Sequence, residues 1–274
     1  MGDAEPGGFY LYVFYFGKIK KKSMESGLVS IITPAFNSSQ LIGQTIESVL
    51  GQTYLNWEML IVLDSGTTDN TAEIVGNYGK RDSRIKLFEI KDQRGISLSR
   101  NLALSKAQGE FVAFLDSDDL WLPEKLQKQI EFMIENHYAF SCTGYRKVSQ
   151  DGLRSGKLRL PPSVQSYSDI LANNLICCPT VVFNQKILGS FKMAEHPHED
   201  FILWLNIVRK AESCHGLQRD LARYRVVENS RSMTVNRPAS RWTVYRNFEK
   251  LGLLDATFYF IRYAISALKK RSIF

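Results

Sequence analysis

Cysteine is scarce: Cys142, Cys177, Cys178 and Cys214 are all the chain has, with no C-x-x-C pair and no spacing that suits a zinc site. Reduced thiols in a cytosolic compartment are expected. No run of about 18 uninterrupted apolar residues occurs, so a spanning helix is not expected. The apolar run Phe9–Phe16 is too short to span, and Gly17 and Lys18–Lys22 follow it, inverting the order of a secretory signal. Because Met24 opens a more conventional start, residues 1–23 read as a poorly ordered extension or a mis-assigned start. No G-x-G-x-x-G occurs, which argues against a dinucleotide oxidoreductase. Internal repeats and low-complexity tracts are missing too.

What remains is ordinary for a folded protein. Of 274 residues, 44% are apolar and 23% charged, which fits one large globular domain or two small ones. The net charge of +7 is concentrated at the ends: residues 241–274 hold seven basic and two acidic residues, whereas the body from 26 to 240 is nearly neutral. Nucleic-acid binders spread basic residues over a folded face. A neutral body with a basic tail suggests docking, with an anionic membrane surface as the partner and no nucleic acid.

Between 28 and 140, β-branched runs alternate with helical spacing. Val29–Thr33, Met59–Leu63, Ile85–Ile90 and Phe111–Leu115 read as strands. Helices are expected from the caps Asn37–Ser39 onward, from Asp69–Asn70 to Tyr78, over Ser97–Ala107, and after Pro123 with Leu126, Ile130, Met133 and Ile134 recurring. Such repetition builds a mostly parallel sheet with helices on both faces, an α/β Rossmann-like arrangement whose ligands bind beyond the strands' carboxyl ends. The second half is less regular. Gly152–Pro162 reads as a polar loop and His198–Lys210 as a helix with Phe201, Leu205 and Val208 inward.

Phe114-Leu115-Asp116-Ser117-Asp118-Asp119 puts three carboxylates just after a buried strand. Their mutual repulsion is relieved by a divalent cation, Mn²⁺ or Mg²⁺, which shares its shell between one or two carboxylates and substrate phosphates. A solvated acidic turn capping the helix near Pro123 is the alternative. Other strand ends converge on the same edge: Thr33–Asn37, Asp64–Asp69 and Gly95–Asn101, with Gln52–Tyr54, Trp57–Glu58 and Leu120–Lys125. A Gly-rich loop with a Lys after the first strand, which a sugar-phosphate nucleotidyltransferase would want, is not there. An acidic pair after the fourth strand is likewise misplaced for a phosphoaspartate phosphatase.

Together these segments, dense over residues 28–145, resemble the inverting glycosyltransferases of family 2, which have the GT-A fold. The resemblance implies that Pro34, Ala35, Phe36 and Asn37 lie along the nucleotide, and that Asp64 accepts a hydrogen bond from the base, usually uracil. It makes Arg94 and Arg100 candidate contacts to base or phosphate. It places Asp116 on the ribose or metal-water side of the D-x-D with Ser117 toward the nucleotide sugar, Asp118 as the direct metal ligand with Asp116 beside it, and Asp119 in a structural role or as an occasional contact. Ser65 stands where the family often has a second Asp, and Phe36 where it often has Tyr. His198-Glu199-Asp200-Phe201-Ile202-Leu203-Trp204 resembles the E-D-x-x-x-W segment, implying that Asp200 is the general base; a plain helix cap is the alternative. Near Glu228 the family commonly has a His that this chain lacks, which leaves Arg225, Arg231 or no residue for a role toward the diphosphate.

The expected activity is therefore inverting transfer of a sugar from a nucleotide sugar to a hydroxyl of a glycan or lipid-linked acceptor in surface polysaccharide synthesis, in the cytoplasm or on the membrane's inner face. A catalytically silent nucleotide-sugar-binding assembly subunit is the competing class. The expected organisation is an extension (1–25), a nucleotide-sugar half (26–145), an acceptor and catalytic-base half (146–238) and basic amphipathic C-terminal helices (239–274). The apolar stretch Leu253–Leu268 suits either a bilayer interface or packing on the domain.

Overall fold

The computed structural model describes residues 25–91, 95–227 and 237–269. The expectations for residues 1–23 and for Arg94, Glu228 and Arg231 lie outside the described residues.

Four apolar segments form the parallel half of a nine-stranded sheet. β1 (Glu25–Ala35) pairs on one side with β2 (Trp57–Leu63), which pairs with β3 (Ile85–Glu89), and on the other side with β4 (Gly109–Phe114). These strands are apolar at consecutive positions because both faces are covered. Val29, Ile31, Met59, Ile61, Phe111 and Ala113 face one side; Ile32, Leu60, Val62, Val112 and Phe114 face the other. Helices α1 (Ile42–Leu50), α2 (Thr71–Arg81) and α4 (Lys125–Glu135) cover the first face, and α3 (Ile96–Lys106) the second.

The mixed half continues the same sheet across residue 145. The three-residue β8 (Val182–Asn184) runs antiparallel to β4, and β6 (Phe140–Ser149) antiparallel to β8. The long β9 (Ser213–Val226) is parallel to β6 and carries β5 (Leu120–Trp121) and β7 (Val164–Ser166) on its other edge. The short helices α5 (Tyr167–Ala172) and α6 (Gln185–Leu188) connect these strands.

Helix α7 (Glu199–Ala211) is buried at Phe201, Ile202, Leu203, Trp204, Leu205, Ile207 and Val208, nearly all round, as a helix pressed into a core must be. Trp204 meets the Phe114 ring edge-on at 5.4 Å and packs 6.1 Å from Phe140. Each fully buried side chain of this size contributes about 1.5–3 kcal/mol. The described residues end in α8 (Arg237–Thr243), a π turn (Val244–Phe248) and α9 (Leu253–Lys269), which packs through Ala256, Tyr259 and Phe260 on the core and lies against α5 and α8.

Four local expectations are corrected. Asn37–Ser39 do not cap α1 with their side chains; the Ser38 carbonyl accepts from the Leu41 and Ile42 amides instead. Asp69, one of the two expected caps, takes the first amide of α2 with Oδ1 3.1 Å from the Thr71 nitrogen, but the helix runs on to Arg81 instead of ending at Tyr78. Ile134 is 56% exposed, on the outer side of α4. Gly152–Pro162 is not a free loop, because Ser155 and Arg159 bridge back to Val148 and Tyr145 of β6. Local pairing accounts for this last: the turn brings its own backbone partners.

Candidate active site

The carboxyl ends of β1, β2 and β4 open into a cleft of about 1720 Å³. That exceeds the roughly 300–1,000 Å³ of a typical single-ligand pocket and leaves room for a donor and an acceptor together. Pro34, Ala35, Phe36, Asn37, Asp64, Arg100, Asp116, Ser117, Asp118 and Asp200 all line it.

The nucleotide-side wall follows from how β1 ends. Asn37 adopts φ 45°, a left-handed conformation that Asn tolerates, and the turn leaves Phe36 54% exposed over the cleft. Asn37 Oδ1 accepts from the Thr68 amide at 2.9 Å, which ties this turn to the loop after β2. Asp64, at the end of β2, is nearly buried; its Oδ1 accepts from Gly66 N at 3.1 Å and its Oδ2 from Gly95 N at 2.7 Å. Each carboxylate oxygen keeps a lone pair for a further donor. Gly95 has φ +140°, which a side chain would strain.

The acidic loop after β4 is braced from α1. Thr45 Oγ1 donates to the carbonyls of Ser117 and Asp119, each at 2.9 Å, and the Ser38 and Ser117 hydroxyls meet at 2.8 Å. Within the loop, burial and then the Asp116 charge push the Asp118 carboxyl up to about 6. Asp119 turns away from the cleft; burial, Asp118 and Asp116 hold its carboxyl well above the usual range, although Oδ1 accepts from Arg225 N at 2.8 Å. Asp119 Oδ2 has no hydrogen-bond partner among the described residues. The crowding that raises Asp118 is what a divalent cation beside it would relieve. No cluster of three His, Cys, Asp or Glu is arranged to hold a metal among the described residues. Asp116 and Asp118 nevertheless line the cleft two residues apart, a donor set that a cation sharing its shell with phosphate oxygens would use.

Arg100 links this loop to α7. Its Nη2 lies 2.6 Å from Asp116 Oδ1 and its Nη1 3.2 Å from Glu199 Oε1, with the guanidinium only 3% exposed. Burial pulls its pKa down, but Asp116 first, then Cys178 and Glu199, more than offset this and keep it charged. Arg100 thus reaches the cleft wall while both of its terminal nitrogens are engaged by protein carboxylates. Asp200 stands beside Glu199 in the first turn of α7, where the helix dipole favours an anion, and its Oδ1 accepts from Phe201 N at 2.6 Å.

Cys177 and Cys178 lie between the two acidic regions, and their neighbours show how close those regions are. Burial raises the pKa of both thiols, and the charges of Asp116 and Asp200 raise both further. The turn that carries them, Cys178–Thr180, is fixed by Trp121 Nε1 donating to the Pro179 carbonyl at 2.7 Å. The far wall is made by Tyr145 on β6, by Leu158–Pro161 and Asn173–Ile176, and by Arg241 and Tyr263 of the C-terminal helices. None of these was singled out in the sequence. Arg225, one of the replacements considered for the missing His, stands behind the cleft lining: its guanidinium donates to Gln44 Oε1 at 2.8 Å, while its charge acts on Asp118 and Asp119.

Comparison with known proteins identifies the fold and the family. The model for glycosyl transferase family 2 matches residues 30–222. A Bacillus subtilis (strain 168) protein named as the teichuronic acid biosynthesis glycosyltransferase TuaG is 42% identical over 89% of this chain and 97% of its own length. The UDP-Glc:alpha-D-GlcNAc-diphosphoundecaprenol beta-1,3-glucosyltransferase WfgD of Escherichia coli is 35% identical over 91% of this chain and 97% of its own. Among solved structures, S. aureus TarS 1–349 in complex with UDP-GlcNAc superimposes with a TM-score of 0.65 at 22% identity, covering 80% of this chain and 64% of that one. The mannosyltransferase PcManGT of Pyrobaculum calidifontis, in complex with GDP-Man and Mn²⁺, gives 0.64 at 19% identity over 85% and 69%. These likenesses show the GT-A fold, and with the family match and the two relatives they establish that the chain belongs to glycosyl transferase family 2.

Proposed function

We propose that the protein transfers a sugar, with inversion, from a UDP-sugar to a hydroxyl of a lipid-diphosphate-linked glycan during surface polysaccharide synthesis. The observation that carries this reading is the single cleft onto which Asp64, the Asp116–Asp118 pair and Asp200 all open. The donor follows from Phe36 and Asp64, a stacking face beside a fixed acceptor for a base N–H. The acceptor class follows from WfgD, whose name specifies a diphosphoundecaprenol-linked substrate. The nucleotide-sugar half is residues 26–145 and the acceptor half 146–238, with reaction at the membrane's cytoplasmic face.

The chemistry asked of the chain is modest. Phe36, Asp64 and the Asp116–Ser117 turn hold the nucleotide so that the anomeric carbon points at the far wall. Asp200 takes the proton of the acceptor hydroxyl as its oxygen attacks from the face opposite the nucleotide. Arg100 fixes Asp116 on one side and Glu199, next to Asp200, on the other, which keeps the two carboxylate groups in register. Asp118, with Asp116, would hold Mn²⁺ or Mg²⁺, whose contribution is to offset charge on the departing diphosphate.

Asp200→Asn is the decisive variant. Transfer falls by about 10²-fold or more, while UDP binding measured by calorimetry with Mn²⁺ present is unchanged. Persisting transfer removes Asp200 from the role of base. A wild-type chain that binds UDP-sugars yet turns none over with lipid-linked acceptors supports the silent binding subunit instead.

A further inference from the structure

Helix α9 has two apolar faces, and the core uses only one. Ala256 is fully buried, Phe260 meets Trp242 edge-on at 5.5 Å, Tyr259 lies 6.4 Å from Tyr245, and Tyr263 lies under the Arg241 guanidinium at 4.9 Å. On the opposite side Leu254, Phe258, Ile261 and Ile265 are 87%, 54%, 53% and 50% exposed. At 100° per residue these four fall within about 60° of arc, a ridge about 17 Å long. Ordinary packing on a domain needs no such second face.

Charge identifies the occupant. Arg262 is exposed on the flank of the ridge, 5.7 Å from the Phe258 ring, and Lys269, Lys270 and Arg271 follow in sequence. Residues 241–274 hold seven basic and two acidic residues, against a body close to neutral. An apolar ridge with Arg262 on its flank, in a segment whose sequence is strongly basic, suits an interface of acyl chains under anionic headgroups. A second copy of the chain is a poorer fit: four side chains on one helix offer a few hundred Å², short of the roughly 800 Å² per partner of a stable dimer.

We infer that the outward ridge of α9 docks the protein on an anionic bilayer and sets the far wall of the cleft next to that surface. The same helix supplies both functions, because Tyr263, Ser266 and Ala267 on its inner side line the cleft. This deepens the lipid-linked acceptor reading and rests on it for its purpose: a docked α9 lies between the headgroups and Asp200, where a lipid-borne diphosphate would enter.

The test is flotation of the full chain with vesicles of phosphatidylcholine containing about one-third phosphatidylglycerol, against phosphatidylcholine alone, at low and high salt. The wild type floats with the anionic vesicles and loses binding at high salt. Phe258→Ser with Ile265→Ser, both at exposed positions, lowers partitioning at least about tenfold with the unfolding temperature unchanged. Wild-type protein that stays at the bottom of the gradient overturns the inference, as does a double variant that floats like the wild type. So does sedimentation showing a wild-type dimer that the double variant dissociates. UDP binding is measured alongside: flotation without UDP binding strikes the proposed activity and leaves the docking surface standing, whereas UDP binding without flotation does the reverse.

Discussion

Replacing Arg100 by Met isolates what the buried guanidinium does. The side chain is 3% exposed and joins Asp116, 23% exposed, at 2.6 Å to Glu199, 7% exposed, at 3.2 Å. Met matches its apolar stem but abandons two carboxylates, one of them almost without solvent. Removing one member of a buried ion pair costs about 3–5 kcal/mol, mostly the cost of the orphaned charge. Against a total stability of roughly 5–15 kcal/mol this is a large fraction, and at about 2–4 °C per kcal/mol it lowers the unfolding temperature by roughly 6–20 °C. Urea unfolding of four proteins measures it: wild type, Arg100→Met, Glu199→Gln and the double variant. If the orphaned Glu199 charge is the cause, Glu199→Gln restores part of the loss, with a coupling energy of about 1–3 kcal/mol. Arg100→Lys keeps the charge but cannot fork between both carboxylates, and falls in between. A midpoint for Arg100→Met within about 1 kcal/mol of wild type, or fully additive single losses, refutes the reasoning.

Two further substitutions probe the site's surroundings. Gly95→Ala strains a φ of +140° and displaces the amide that Asp64 Oδ2 accepts; UDP affinity falls about tenfold or more with the fold intact, and unchanged affinity by calorimetry counts against Asp64 as the base-reading group. Lys125 is fully buried, its Nζ has no hydrogen-bond partner among the described residues, and burial pushes its pKa well below the ordinary value. Because the unfolded chain binds the proton more tightly, the resulting penalty is full below the folded-state pKa and shrinks as pH rises from there toward the unfolded one. Lys125→Met therefore stabilises, by more at pH 6 than at pH 10, in thermal unfolding; stabilisation that grows with pH contradicts this. Trp121 opposes the gain, since the ammonium sits 3.8 Å from its ring centre.

The strands and helices up to Met133 were readable because a sheet covered on both faces demands consecutive apolar positions, and Val29–Thr33, Met59–Leu63 and Phe111–Leu115 supply them. The D-x-D and Glu199-Asp200 segments were readable as motifs. Other parts of the site depend on contacts across long stretches of chain that no local pattern carries. Arg100 was legible as a candidate ligand contact, but not its pairing with Asp116 and, 99 residues on, Glu199. Arg241 and Tyr263 reach the cleft only because α8 stacks Arg241 on Phe201 of α7 and α9 packs against α5 and α8, which the 3.6-residue period of Leu253–Leu268 does not state. The far wall at Leu158–Pro161 was hidden because a polar, Gly-containing stretch reads as free turn until its bridge to Tyr145 is seen.

The bracing of the acidic loop by Thr45 and Ser38 bears on how ligands are taken up. Those hydrogen bonds hold the cradle in shape before anything enters, so on the proposed activity little ordering entropy would be lost in taking up a cation and pyrophosphate. Loading and product departure are then governed by the charges exchanged rather than by refolding of the loop, and a Thr45→Val chain would bind the same metal nucleotide more slowly and less tightly while contacting it with every residue it had before.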